Sequence, residues 1–262
     1  MLRPVLRRAR ELMPNMPLAC LAQTRSERLL LSAGVHVLRC PLPQHAAAHA
    51  VAAAKIVVCE AVSRVVDNGG GTLRSHRRLQ VKMERDGAHL ALLRPLVDRV
   101  TSALRQHHPV FAERLRLAMI RDAVGRDSVE FHLLHFDVSG RAPRTPRQRL
   151  HLDVPLTWRQ RAGANALAHM PFFLLVPITG VAGLNVSGRV VSMADDRSRP
   201  SENVRVTASR GDVLVCCGDL KHGGAGNTTR QRRLRLHIAV VPRFMGAQLD
   251  VSFTRLRDDR AL

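Results

Sequence analysis

Near residue 127 the spacing of apolar side chains changes from three-and-four to two, and no other feature of the chain restricts its fold as strongly. Before that point, 43–66, 90–106 and 111–124 carry apolar residues at helical spacing. The run 67–71 (Asp-Asn-Gly-Gly-Gly) reads as a loop, and Pro109 separates the last two helices behind the pair His107-His108, which reads as a solvated turn. After it, short candidate strands at 129–138, 149–154, 172–179, 186–193, 204–208, 213–217 and 233–241 are punctuated by Gly, Pro, Ser, Asn or Asp. That punctuation is typical of a sandwich or barrel. A further strand is expected at 34–40. The expected class is thus mainly β with flanking helices (α+β).

Within 262 residues this pattern fits one domain, 33–245, with a helical scaffold at 43–125 and a β core at 129–241. A basic segment, 1–32, precedes it and a tail, 246–262, follows. No window approaches the eighteen consecutive apolar residues of a membrane span, so the chain is expected to be soluble.

Five cysteines with no C-x-x-C pair argue against a disulfide framework and a zinc knuckle, and fit a reducing compartment. A cytoplasmic location follows. The arginines of the first 28 residues, among Leu2, Val5 and Leu6, also resemble a mitochondrial presequence. The formal charge of +20 points to polyanions such as nucleic acid. It is carried almost wholly by arginine, however, and the chain has no tyrosine. A GC-rich coding bias accounts for that skew equally well, and an aromatic content of 3% leaves few platforms on which bases could stack.

The chemistry centres on His151-Leu152-Asp153. Residues i and i+2 of a strand emerge on one face, so an imidazole and a carboxylate become neighbours. A second H-x-D, His135-Phe136-Asp137, is the rival. The more specific block is Gly211-Asp-Val-Leu-Val-Cys-Cys-Gly-Asp-Leu-Lys-His222, followed by the glycine-rich 223–226, Asn227 and a strand from Arg233. A histidine there would complete a two-histidine, one-carboxylate face, the geometry that leaves iron positions open. In the last strand Arg233, Arg235, His237 and Ala239 share one side, where a guanidinium can clamp a carboxylate through two hydrogen bonds.

Through 148–153 (Gln-Arg-Leu-His-Leu-Asp) and the block from Gly211 to Arg233, the sequence resembles the phytanoyl-CoA dioxygenase-like branch of the Fe(II)/2-oxoglutarate oxygenases. The resemblance implies a double-stranded β-helix (a cupin-like jelly roll) with iron at one open end. His151, Asp153 and His222 would be the ligands, and Arg233 would hold the distal carboxylate of 2-oxoglutarate. With O2 as oxidant, the co-substrate would be decarboxylated to succinate and CO2 while a substrate, expected to be a small organic molecule, is hydroxylated. Arg235, His237, Gln148 and Thr229 are further pocket candidates, with His132 beside them, while the lone Trp158 reads as core. An aromatic residue usual near Cys217 and a glycine-serine-histidine motif, here replaced by 183–188 (Gly-Leu-Asn-Val-Ser-Gly), are absent. The alternatives are the same chemistry on nucleic acid or protein, and a non-catalytic metal-binding jelly roll.

Overall fold

The computed structural model describes residues 30, 33–40, 42–67, 78–120, 127–136, 150–154, 169–189, 204–227 and 231–243. In chain order these form β1 (Val35–Leu38), α1 (Gln44–Asp67), β2 (Arg78–Met83), α2 (Ala88–His107), α3 (Pro109–Met119) and β3 (Asp127–Phe136). There follow β4 (Phe172–Pro177), β5 (Ala182–Arg189), β6 (Val204–Ala208), β7 (Val213–Cys217), β8 (Leu220–Gly224) and β9 (Arg233–Pro242).

The helices form where the apolar spacing places them. In α2 the buried residues are Leu90, Leu93, Leu96, Val97, Val100 and Leu104, a single stripe at intervals of three and four. Pro109 starts α3 as its first residue, where the missing N–H would have had no intrahelical partner.

Two antiparallel sheets make the β core, one ordered β1-β7-β4-β9-β3-β2 and the other β6-β5-β8. One face of the larger sheet packs on the helices: Phe131, Leu133, Phe172, Leu174, Val215, Leu236 and Ile238 share a cluster with Leu93, Leu104 and Phe111. Its other face meets the smaller sheet through Leu134, Phe173, Leu175, Leu214 and Cys216 against Leu184, Val186 and Leu220. Strands β4 and β7 are therefore buried on both faces, which is why they are unbroken apolar runs rather than alternating ones. Each large side chain so buried stabilises the fold by roughly 1.5–3 kcal/mol. This is the jelly-roll arrangement, with helices covering one outer face.

Several local expectations need correction. Within 43–125, expected to be helical, lies the strand β2, which extends the main sheet by pairing with β3 along its length. Its run Arg-Leu-Gln-Val-Lys-Met alternates at period two, but a basic stretch beside it masks the signal. The described part of 149–154 forms no ladder and makes one bridge, His151 to His222. Residues 220–224, outside the expected strands, form a strand of their own, β8. His108 is fully buried, not solvated: its Nε2 lies 2.9 Å from Nδ1 of His36 on β1. Of the five cysteines, the four described ones, Cys40, Cys59, Cys216 and Cys217, are free thiols.

The Gly211-Asp212 pair has a structural task. Gly211 has φ +85°, and a Cβ there would lie 2.6 Å from atoms of Leu42, so only glycine fits. Asp212 accepts hydrogen bonds from the backbone N–H groups of Ser209 and Cys40 and from Arg39, fastening the β6–β7 turn to the end of β1.

Candidate metal centre

Where β8 is bridged by the segment carrying His151, ligand atoms of His151, Asp153 and His222 all lie within 4.8 Å of one another. Three different local causes bring them there. His222 stands on β8 opposite Val186, and its own backbone bonds to His151: the N–H of His151 reaches the carbonyl of His222 at 2.7 Å, and the return bond is 3.0 Å. Two residues on, Asp153 turns its carboxylate between the imidazoles, at 3.3 Å from His151 Nε2 and 3.4 Å from His222 Nε2. A side-chain exposure of 42% for His151 and 35% for Asp153, against 6% for His222, makes the mouth accessible from solvent and its floor fixed.

The donor set passes a chemical test for a cation. His222 Nδ1 is 2.9 Å from the carbonyl of Leu220, which can only accept, so Nδ1 carries a proton and Nε2 is the nitrogen turned toward the site. Nε2 faces Asp153 and, once it has lost its proton, offers a lone pair to a cation. Burial pushes the Asp153 carboxyl upward, but hydrogen bonds to His151 and His222 and the charges of His222 and His237 outweigh it, holding the group well below the usual carboxylate range. A lone pair and a carboxylate oxygen in such proximity attract only through a proton or a metal ion between them. Two imidazoles and one carboxylate, one imidazole oriented by a backbone carbonyl, suit Fe(II) and leave open positions.

The wall beside the triad comes from β4, β9 and β3. The Phe173 ring stands 4.7 Å from that of His222 and 5.6 Å from that of His237. His132 lies 5.7 Å beyond His237, is buried, and bonds Glu130 at 3.1 Å; Glu130 in turn takes a bond from Lys82. His132 and His237 are cross-strand partners, and so are Leu134 and Arg235, which puts the polar side of β9 inside the barrel. Arg233 and Arg235, 7% and 3% exposed, continue that side. Burial, and then the charge of Arg205, lower the pKa of Arg233, and no carboxylate among the described residues pairs with it. Among the described residues this buried guanidinium therefore has no counter-charge.

Thus the expected triad is assembled, His237 lies beside it, and Arg233 and Arg235 occupy the expected face. Gln148, Thr229, Trp158 and Asp137 lie outside the described residues, while the backbone of the rival His135 pairs with Leu79 and Leu234. Phe173 and Glu130 were not anticipated. The alternation of β3 could have placed Glu130, but β4 is apolar on both faces, and nothing in the sequence says which face carries Phe173 toward the triad.

No protein-family model and no curated protein sequence matches the chain. Solved structures do. AviO1 from Streptomyces viridochromogenes Tue57 superposes with a TM-score of 0.53 at 16% identity over 85% of this chain and 96% of that one. The non-heme alpha ketoglutarate dependent epimerase SnoN from nogalamycin biosynthesis gives 0.53 at 13% over 83% and 80%, and has also been solved with Fe3+, alpha ketoglutarate and nogalamycin RO. The ThoJ–Ni complex, a non-heme monooxygenase, gives 0.50 at 15% over 83% and 77%. The chain thus has the fold of the non-haem iron, 2-oxoglutarate-dependent superfamily.

Proposed function

We propose that the chain is an Fe(II)- and 2-oxoglutarate-dependent oxygenase that hydroxylates a small organic substrate. The reading rests on one observation above all: two imidazoles, one of them oriented by a backbone carbonyl, converge with a carboxylate. A buried guanidinium, Arg233, with no carboxylate partner among the described residues stands on the inner face of the larger sheet. Iron at this site supplies the one-electron and O2 chemistry that side chains lack.

The protein's own residues do the rest. His151, Asp153 and His222 hold one face of the ion, and Phe173 packs against His222 and restricts its ring. Arg233, fixed on β9, receives the distal carboxylate of the co-substrate and so sets the direction in which the keto acid lies. His237, adjacent to both Phe173 and the field of Asp153, is offered as a lining residue for the substrate. The eleven-residue interval from His222 to Arg233 supports the phytanoyl-CoA dioxygenase-like assignment within the superfamily. Neighbours sharing the fold include an epimerase as well as a monooxygenase, so hydroxylation is the finer part of the proposal.

The test is optical. Fe(II) and 2-oxoglutarate added anaerobically to metal-free protein should give the weak visible charge-transfer band of a keto acid chelated to ferrous iron. The band should vanish in His151→Ala, weaken in Arg233→Ala and survive in His135→Ala. Bound iron with no band in the wild-type protein overturns the reading.

A further inference from the structure

The helix-facing side of β1 carries a polar contact that the candidate metal centre does not use. His36, half-buried on β1, and His108, fully buried where α2 meets α3, place Nδ1 and Nε2 2.9 Å apart. The two rings meet edge to face at 5.1 Å, and the Phe111 ring of α3 lies 6.1 Å from that of His108. Imidazole nitrogens at that distance hold one proton between them, because two protons would collide and none would leave two lone pairs opposed. When His108 donates, the second N–H of the pair sits on the half-buried His36 ring, and Nδ1 of His108, which has no hydrogen-bond partner, is a buried lone pair. The reverse arrangement strands a buried N–H, the rarer kind of orphan.

Neither arrangement accepts a further proton cheaply. The proton goes either to Nδ1 of His108, where burial gives the new charge no acceptor, or to a nitrogen already in the bond, which breaks it. The surroundings offer no relief. β7 presents Val215 opposite His36, α3 presents Phe111, and the last turn of α2 presents His107, a like charge when protonated. Arg39, where the chain leaves β1, is paired with Asp212 at 2.6 Å. Burial first, then the charges of His36 and His107, take the pKa of His108 from 6.5 to about 3, and burial and then His107 lower that of His36.

We propose that this shared-proton pair is an acid-released catch, which holds the edge strand β1 against the α2–α3 corner near neutral pH and frees it on acidification before the rest of the barrel opens. β1 is four residues long and pairs with β7 alone, so few bonds oppose its release. Its other face, Val35 and Val37, packs on the cluster that contains Phe173 and Cys216, and Phe173 stands against His222. Release of the strand therefore uncovers the apolar floor beside the candidate metal centre. The catch does not depend on the reaction proposed there.

Amide hydrogen exchange of the full chain at pH 7 and pH 5, with rates corrected for the pH dependence of intrinsic exchange, tests the proposal. The opened pair takes up a proton with the ordinary histidine pKa of about 6.5 while the closed pair refuses it, so protection of 35–38 should fall at least about tenfold between the two conditions. Protection of β4 and β9 should stay as it was. In His108→Gln, and in His36→Gln combined with His108→Gln, protection of 35–38 should be nearly the same at both pH values. The imidazole 15N shifts of the wild type, which need no variant, should show His108 neutral down to pH 5. Protection of 35–38 that ignores pH in the wild type, an equal fall in His108→Gln, a parallel fall in β4 and β9, or a His108 that titrates near 6.5 overturns the proposal.

Discussion

His151 and His222 exchange both backbone hydrogen bonds, at 2.7 and 3.0 Å, so the two imidazoles of the candidate metal centre are tied through the main chain without any ion. A bridge of this kind holds the rings 4.9 Å apart at an interplanar angle of 47°. Its consequence is preorganisation: an entering cation orders little beyond the Asp153 side chain.

Loss of a ligand should therefore abolish metal binding without unfolding the barrel. His222→Ala and Asp153→Ala should retain no stoichiometric Fe(II) after gel filtration, while circular dichroism stays that of the wild type. Gln at position 222 cannot replace the imidazole and should behave like Ala. A Leu220-bonded His222 that still bound iron after Asp153→Ala would show that the carboxylate is not a ligand.

Arg233→Ala should raise the dissociation constant for 2-oxoglutarate by roughly 10- to 100-fold, the worth of a charge-assisted bond of about 1.5–3 kcal/mol, and leave Fe(II) affinity unchanged. Arg233→Lys keeps the charge but not the two-pronged geometry and should fall between. Anaerobic titration followed at the visible band reads both constants. An unchanged constant in Arg233→Ala, with loss in Arg235→Ala instead, would move the anchor to Arg235.

Arg114 and Asp127, 3% and 6% exposed, form a two-pronged pair at 2.8 and 2.8 Å, and Arg114 also reaches the carbonyl of Met170 at 2.6 Å. The pair joins α3, β3 and the approach to β4. Removing one partner strands the other charge, so Asp127→Ala should cost about 3–5 kcal/mol in chemical denaturation. Replacing both, Arg114→Met with Asp127→Leu, should restore part of that loss.

Gly211→Ala combines a φ of +85° with a Cβ 2.6 Å from Leu42, and should destabilise the fold by at least about 1–3 kcal/mol. Gly180, at φ +62° but with open space around it, should lose less on the same change. Thermal unfolding midpoints of the two variants make the comparison.

Acid should weaken the fold through His108. Burial first, then the charges of His36 and His107, push its pKa down from 6.5 to about 3, and its Nδ1 has no hydrogen-bond partner to receive a proton. The unfolded chain therefore binds a proton that the folded one refuses. This penalty is absent above pH 6.5 and grows as pH falls toward 3, at up to about 1.4 kcal/mol per pH unit from this group. The pKa of His36 is lowered in the same sense, by burial and by His107. Denaturation of metal-free protein between pH 7 and 4.5 should show a slope that flattens in His108→Gln. An equally steep slope in that variant assigns the acid sensitivity elsewhere.

The sequence by itself determined what depends on neighbours along the chain. The stripe from Leu90 to Leu104, the proline-marked start of α3, the unbroken runs of β4 and β7 and the two-residue alternation of Arg233, Arg235 and His237 are all local periodicities, and each is found in the structure. So are the spacings of His151, Asp153, His222 and Arg233. Tertiary structure decided what depends on pairing. Whether the described part of 149–154 is a strand or a single bridge, and whether 220–224 continues β7 or forms a strand of its own, is set by the opposite backbone, which no local pattern encodes. His108 reads as a loop residue until β1 supplies His36, and Phe173 becomes part of the site only because β8 carries His222 to it. Side-chain period is a property of one strand. Which face of that strand looks inward is fixed only when the second sheet closes over it.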